Sequence, residues 1–179
     1  MSPVTGEPGQ SQVLRDVVLI TPRLVLTSWL AVDVDPLLEV HSDPETMKFV
    51  RSGRPESRSE TEDLVNQYIA EHAARGWTKW RLTDRDGGLI GRAGFGGGPT
   101  HRELGYAIRR SHWGLGLAAE VAEALVGWHH SHLPPEQLRA LVAVGNDASV
   151  RVLQKVGFQE VGTQDNDGTI CRSFVYPNP

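Results

Sequence analysis

The chain has 179 residues, 39 % hydrophobic and 22 % charged, a composition that fits one soluble globular domain able to fold without a metal or a disulfide. Its 18 basic and 22 acidic residues give a net charge of −4, so no basic excess is available to neutralise phosphates along a nucleic acid. A single cysteine, Cys171, no signal-peptide pattern and no apolar run near the ~18 residues of a membrane span point to a cytoplasmic protein with no nucleic-acid or membrane partner.

Residues 1–16 collect Pro, Gly, Ser and Gln without apolar periodicity and read as a mobile leader, with one domain over 17–179. In VVLITPRLVLTSW, Pro22 demotes the first half to an edge or an irregular entry, leaving one strand at about 23–29. Asp33 is the expected N-cap of a short helix carrying Leu37, Leu38 and Val40 and stopped by Ser42-Asp43-Pro44. RSGRPESRSE reads as loop. Leu64, Tyr68, Ile69 and Ala73 then recur at helical spacing over 59–75, behind a Ser59/Glu62 capping box and ahead of Gly76.

Strand-like stretches follow at 77–83, 89–95 and 103–108, separated by DRDGG and by GGGPTHR, which predicts an antiparallel meander. Leu117, Val121, Leu125 and Trp128 define an amphipathic helix over 117–131, ended by Pro134-Pro135. LRALVAV at 138–144 has the apolar density of a buried central strand. A short helix over 148–156, closed by Gly157, and strands at 158–161 and 173–176 complete a mixed α/β chain. Strand, helix and strand from 103 to 144 are long enough for a right-handed crossover between parallel neighbours.

The chemistry-bearing motif is RRSHWGLGLAAE, a turn with Gly114 and Gly116 that leads straight into the amphipathic helix. A helix N-terminus offers unpaired N–H groups and a positive dipole end, and glycines let a phosphate approach the backbone closely. A plain strand-to-helix turn is the alternative. No Gly-Lys pair exists, which excludes a P-loop. Residues 114–119 satisfy GxGxxA of a dinucleotide site, yet LRALVAV runs into Gly145-Asn146 where the ribose-binding carboxylate should stand, and too little chain remains for a doubly wound sheet.

From Thr21 onward, TPRLVL, SDPETMKFV, ELGYAI, WGLGLAAEVAEAL and NDASVRVLQKVGF resemble, in order, the GNAT superfamily of acetyl-CoA-dependent N-acetyltransferases, in particular its RimJ/RimL-like branch. The resemblance implies an α/β (α+β) single domain: a mixed, mostly antiparallel sheet of six to seven strands, about four helices, and splayed central strands. It implies acetyl-CoA as co-substrate, no metal, a small-molecule or peptide amine as acceptor and, because the family often dimerises, a homodimer. The pyrophosphate loop falls on Trp113, Gly114, Leu115, Gly116, Leu117 and Ala118, with Trp113 replacing the usual Gln or Arg. Pantetheine would lie along the main chain of Ile108 and Arg110 and meet Asn146, while Lys155 and Arg151 could face the adenosine phosphates or only water. Leu153 occupies the place where the family often has a Tyr general acid, so that role passes to Ser149. A CoA-binding module of this fold that has lost turnover is the alternative reading.

Direct transfer needs no enzyme nucleophile but does need a neutral amine. At pH 7 an α-amine with pKa ~7.8 is roughly 10–20 % neutral, against below about 0.1 % for a Lys amine near ~10.4. Glu103, at the start of a splayed strand, is the candidate base, or else a solvated strand-end carboxylate. His101 and His112 flank that strand and read mostly as polar surface. His129, His130 and His132 read as a C-terminal helix cap rather than a metal site, Cys171 as a bystander, and Trp77, Trp80 and Tyr68 as core aromatics rather than an acceptor pocket.

Overall fold

The computed structural model describes residues 14–98 and 100–177. Within them one eight-stranded sheet runs in the order β1-β2-β3-β4-β5-β6-β8-β7. Its strands are β1 (Val17–Ile20), β2 (Leu24–Thr27), β3 (Lys79–Asp84), β4 (Leu89–Gly96), β5 (His101–Ile108), β6 (Gln137–Ala143), β7 (Gln159–Asn166) and β8 (Thr169–Val175). All pairs are antiparallel except β5 with β6. The helices are α1 (Val34–His41), α2 (Pro44–Met47), α3 (Arg58–Arg75), α4 (Leu117–His132) and α5 (Asp147–Val156). The mixed α/β domain is as expected, but eight strands and five α-helices replace six to seven and about four.

Each difference has a local cause. Pro22 separates the entry segment into a true edge strand, β1, rather than an irregular lead-in. Asp33 does not cap α1 with its side chain. Its carboxylate instead accepts from Leu30 N at 2.8 Å and meets Arg15 and Arg81, at 2.8 and 3.1 Å. Arg15 and Asp16, the latter bonded to Ser28 through both its N–H and its carbonyl, are thereby fixed to the domain; the rest of the leader, 1–13, lies outside the described residues. Helix α3 starts at Arg58 because Ser57 and Glu60 form the reciprocal capping box, leaving Glu62 to pair with Arg58. The hairpin β7–β8 reaches through the polar 162–172 stretch around an Asp167-Gly168 turn with φ of 50° and 84°. Every residue of β7 is exposed, so backbone pairing rather than burial carries it.

The main core lies between the sheet and α4 and α5. There Trp80, 0 % exposed, meets Phe95 and Trp128 edge-on at 5.9 and 4.9 Å, and Trp80→Ala would cost about 3–5 kcal/mol. A second cluster, with Trp29, Leu37, Leu64 and Tyr68, seats α1 and α3 on the opposite face. Trp77, Trp80 and Tyr68 are accordingly core residues. The crossover β5–α4–β6 connects the one parallel pair and delivers the glycine turn to its mouth.

Candidate active site

Strands β5 and β6 pair only over His101↔Gln137, Arg102↔Leu138 and Glu103↔Arg139. Beyond that point β5 stays bonded to β4 as far as Ile108↔Gly91, and β6 stays bonded to β8 as far as Ala143↔Cys171. Each strand follows its outer neighbour, and a wedge opens between them, as the splay predicted. A cavity of about 490 Å³ fills the wedge, and a recess of about 80 Å³ continues it, the two sharing Tyr106, Asn146 and Ser149. The larger one falls in the size range of small-molecule and cofactor sites.

The glycine turn forms one end of this cavity. Gly114 and Gly116 take φ of 74° and 76°, a left-handed backbone that other residues adopt only under strain, and a Cβ at 114 would meet nothing within 4 Å. The first bond of α4 runs from Glu120 N to Gly116 O, so the N–H groups of Leu117, Ala118 and Ala119 have no helical acceptor. No side chain caps them. Glu120, the nearest carboxylate in sequence, is turned away onto Thr21 Oγ1 at 2.6 Å and onto Arg23 N and Nε at 2.9 and 2.6 Å. Those contacts hold its carboxyl below the usual range against the opposing effect of burial. Arg23 also donates to the Leu115 carbonyl at 2.8 Å, pinning it so that the open N–H groups face the cavity. Lys48, Arg151, Lys155 and His112 line the same cavity, with Glu45 the one acidic side chain among its described lining residues.

The residues singled out from sequence separate into three groups. Ile108, Trp113, Gly114, Gly116, Leu117, Ala118, Asn146, Ser149 and Lys155 line the cavity. Leu115, 55 % exposed, and Arg110, in a 3-10 turn at Arg110–His112, do not line it. Glu103 lies elsewhere, on the opposite face of the sheet from Tyr106, because the two are an odd number of residues apart on one strand. Trp113 has a job the pattern hid: its indole donates to the Ile108 carbonyl at 2.8 Å, so that carbonyl is already bonded. Since Arg109 N bonds Ile90 O, antiparallel alternation turns the N–H groups of Ile108 and Tyr106 away from β4 and toward the wedge.

Asn146 caps α5: its side-chain carbonyl accepts from Ser149 N at 3.3 Å, leaving its amide N–H free toward the cavity. Ser149 stands beside Tyr106, whose phenolic oxygen is buried, faces Ser149 and makes no hydrogen bond of good geometry among the described residues. Burial pushes the Tyr106 phenol up, which keeps it protonated. The family resemblance left a Tyr position vacant at Leu153, which is core at 2 % exposure; a phenolic hydroxyl, that of Tyr106, instead faces Ser149 from β5. Arg23, which holds the glycine turn, and Tyr106, which lines the cavity, are not singled out by the sequence, and neither carries a local signal.

His129 departs from the cap reading. It is 1 % exposed, and desolvation, reinforced by Arg102 and His130, brings it down to about 4, so it is a neutral core imidazole. His132 does serve the helix end, with Nδ1 3.0 Å from the Trp128 carbonyl. Cys171 is buried and its thiol is pushed up by desolvation, which suits an inert side chain. No described helix is long and apolar enough to cross a membrane.

Residues 23–159 match the family model described as an acetyltransferase (GNAT) domain, and the chain belongs to that family. It is similar to an uncharacterized N-acetyltransferase, YoaA, of Bacillus subtilis (strain 168), at 30 % identity over 165 residues, covering 90 % of this chain and 89 % of the relative. Among solved structures it is similar to a GNAT-family acetyltransferase from Bordetella pertussis, with TM-score 0.76, 25 % identity and coverage of 91 % of this chain and 100 % of that one. The RimL ribosomal-protein α-N-acetyltransferase in complex with coenzyme A shares the fold, with TM-score 0.75 at 16 % identity over 89 % of this chain and 97 % of that one. The protein is an N-acetyltransferase by family and fold.

Proposed function

We propose that the chain transfers an acetyl group from acetyl-CoA to a primary amine, a protein α-amine or a small-molecule amine, by direct attack within a ternary complex. The observation that carries this reading is the uncapped turn at 114–119, whose free N–H groups open onto the wedge cavity with the competing carboxylate tied back by Arg23. That cradle fits a diphosphate: three N–H donors in one helical turn, glycines that allow close approach, and Lys155, Arg151 and Lys48 on the rim. Trp113 and Leu115 contribute the loop's shape rather than a side-chain phosphate contact.

Acetyl-CoA supplies the activated acyl group; the chain's own residues place it and move protons. The wedge-facing N–H groups of β5 are positioned to receive the oxyanion of the tetrahedral intermediate. Glu103 takes a proton from the attacking amine, the amine nitrogen forms the new C–N bond, and the C–S bond breaks. The departing sulfur receives its proton from the Tyr106 and Ser149 hydroxyls. The opposed faces of Glu103 and Tyr106 support this division, because amine and thioester then meet in the wedge from opposite sides.

Thiol release with a panel of primary amines, followed by mass spectrometry of the products, tests the reading. Glu103→Gln is expected to lose turnover while retaining acetyl-CoA binding. Binding of the thioester with no acetylated product across a broad panel would instead favour a CoA-binding module without turnover.

A further inference from the structure

Burying a charge without a partner is costly, so buried cations are ordinarily paired. Two cations on one face of this sheet break that rule. Arg92 on β4 is 2 % exposed, yet its one side-chain hydrogen bond among the described residues is Nε to His41 Nε2 at 3.3 Å. His41 cannot neutralise it. Burial, the largest influence, lowers the imidazole below its ordinary value, and its Nδ1 is bonded at 2.8 Å to Glu56, a carboxylate that also holds Arg51.

Lys79 on β3 is half-buried and likewise makes no ion pair among the described residues. Its tail lies flat across the sheet: Cε and Nζ run within 2.9 and 3.3 Å of where a Cβ on Gly105 would stand, and Nζ within 3.3 Å of one on Gly96. Burial, and after it the charge of Arg92, brings the Lys79 ammonium down to about 8.

The register places these groups together. Arg92 is opposite Ala107, Gly96 is opposite Glu103, and residues 103, 105 and 107 alternate onto one face, so Lys79, Arg92 and Glu103 share it. Glu103 is half-buried and unpaired as well, outside ion-pair reach of Lys79 yet close enough to influence its charge. Lys79, Arg92 and Glu103, none of them in an ion pair among the described residues, therefore share a floor of glycines beside the closed end of the wedge, where β5 still pairs with β6. Lys79 and Glu103 start two strands apart, and the course of the Lys79 tail across Gly96 and Gly105 carries its ammonium toward Glu103.

Resting on the reading of Glu103 as the amine-side base, we infer that Lys79 and Arg92 form a subsite for a carboxylate carried by the acceptor, which makes the acceptor an amino carboxylate. Glu103 meets the amine, and the two cations meet the acid group. Loss of Lys79 should weaken such a ligand by roughly tenfold or more, the scale of one charge-assisted hydrogen bond.

The test reads binding rather than turnover. N-acetylglycine, N-acetylglycinamide and N-acetylaspartic acid α-amide are titrated by NMR into the CoA-saturated protein and into Lys79→Met and Lys79→Arg variants, each checked for an unchanged melting temperature. The inference expects a carboxylate to bind and the uncharged amide not to, with roughly tenfold weakening in Lys79→Met and recovery in Lys79→Arg. Preference between the two acids tells a free amino acid from an acidic peptide terminus. Equal binding of acid and amide, no binding of either acid, or indifference to Lys79→Met overturns the subsite. Failure of acetyl transfer while carboxylate binding still depends on Lys79 would overturn the proposed function and leave the subsite standing.

Discussion

Arg23 and Glu120 are joined by a 2.6 Å bond between Nε and a carboxylate oxygen, and the same guanidinium donates to the Leu115 carbonyl at 2.8 Å. A residue of the bend between β1 and β2 thus shapes a turn ninety-two positions away. It draws the first-turn carboxylate of α4 off the helix N-terminus, where the dipole would otherwise favour it, and keeps that end open.

Arg23→Met should therefore weaken acetyl-CoA binding while barely moving the melting temperature, since the Arg23 side chain is 52 % exposed and surface ion pairs contribute little to stability. Released, Glu120 can fold back over the open N–H groups and compete with the diphosphate. Calorimetric titration is expected to show a loss of about tenfold, corresponding to ~1.4 kcal/mol, with partial recovery in the Arg23→Met/Glu120→Gln double variant. Unchanged affinity in the single variant would mean that the turn needs no such support.

Gly116→Ala should be harder on binding than on folding. The left-handed φ of 76° costs a non-glycine residue about 1–2 kcal/mol, while the space around a Cβ there holds only the Arg23 guanidinium at 3.7 Å. Chemical denaturation should show a loss of that size, and acetyl-CoA affinity should fall further as the turn relaxes. An affinity as strong as that of the native chain would argue against diphosphate binding at this turn.

Tyr106→Phe removes an oxygen with no good hydrogen bond, so stability should hold or rise slightly. The proposed proton donation to sulfur predicts a fall in kcat of about 10²-fold with KM for acetyl-CoA unchanged. Ser149→Ala should have a related effect, and the double variant should cost less than the product of the two, because the hydroxyls serve one proton. A kcat unaffected by either change would remove both from the chemistry.

The neutral His129 makes stability fall in mild acid. Its folded value of about 4 lies below the ordinary 6.5, so between these limits the unfolded chain binds a proton that the folded one does not. Stability is full above about 6.5 and is lost as pH drops toward 4, by an amount on the order of a few kcal/mol. His41, also lowered by burial, adds in the same direction. Melting temperatures measured from pH 7.5 to 4.5 should decline, and His129→Gln should flatten the curve.

Much of this could be read along the chain. The GLGLAAE turn, the α4 stripe of Leu117, Val121 and Leu125, and the Asn146 cap depend on residues within a turn or two of one another. The polar β7–β8 hairpin was under-read for the opposite reason: periodicity reports burial, and β7 buries nothing. The Ser57/Glu60 box lost to a neighbouring Ser59/Glu62 pattern of the same spacing, and one hydrogen bond decides between such equals.

The sequence by itself determined the family, the succession of elements and the glycine turn, since hydrogen bonding and side-chain alternation act over a few residues. Only the tertiary structure decided that Arg23 restrains Glu120, that Tyr106 faces Ser149 and that Lys79 lies over Gly105 toward Glu103. Those juxtapositions depend on which strands become neighbours, and that is set by burying both faces of one sheet at once, a global minimum that no local spacing encodes.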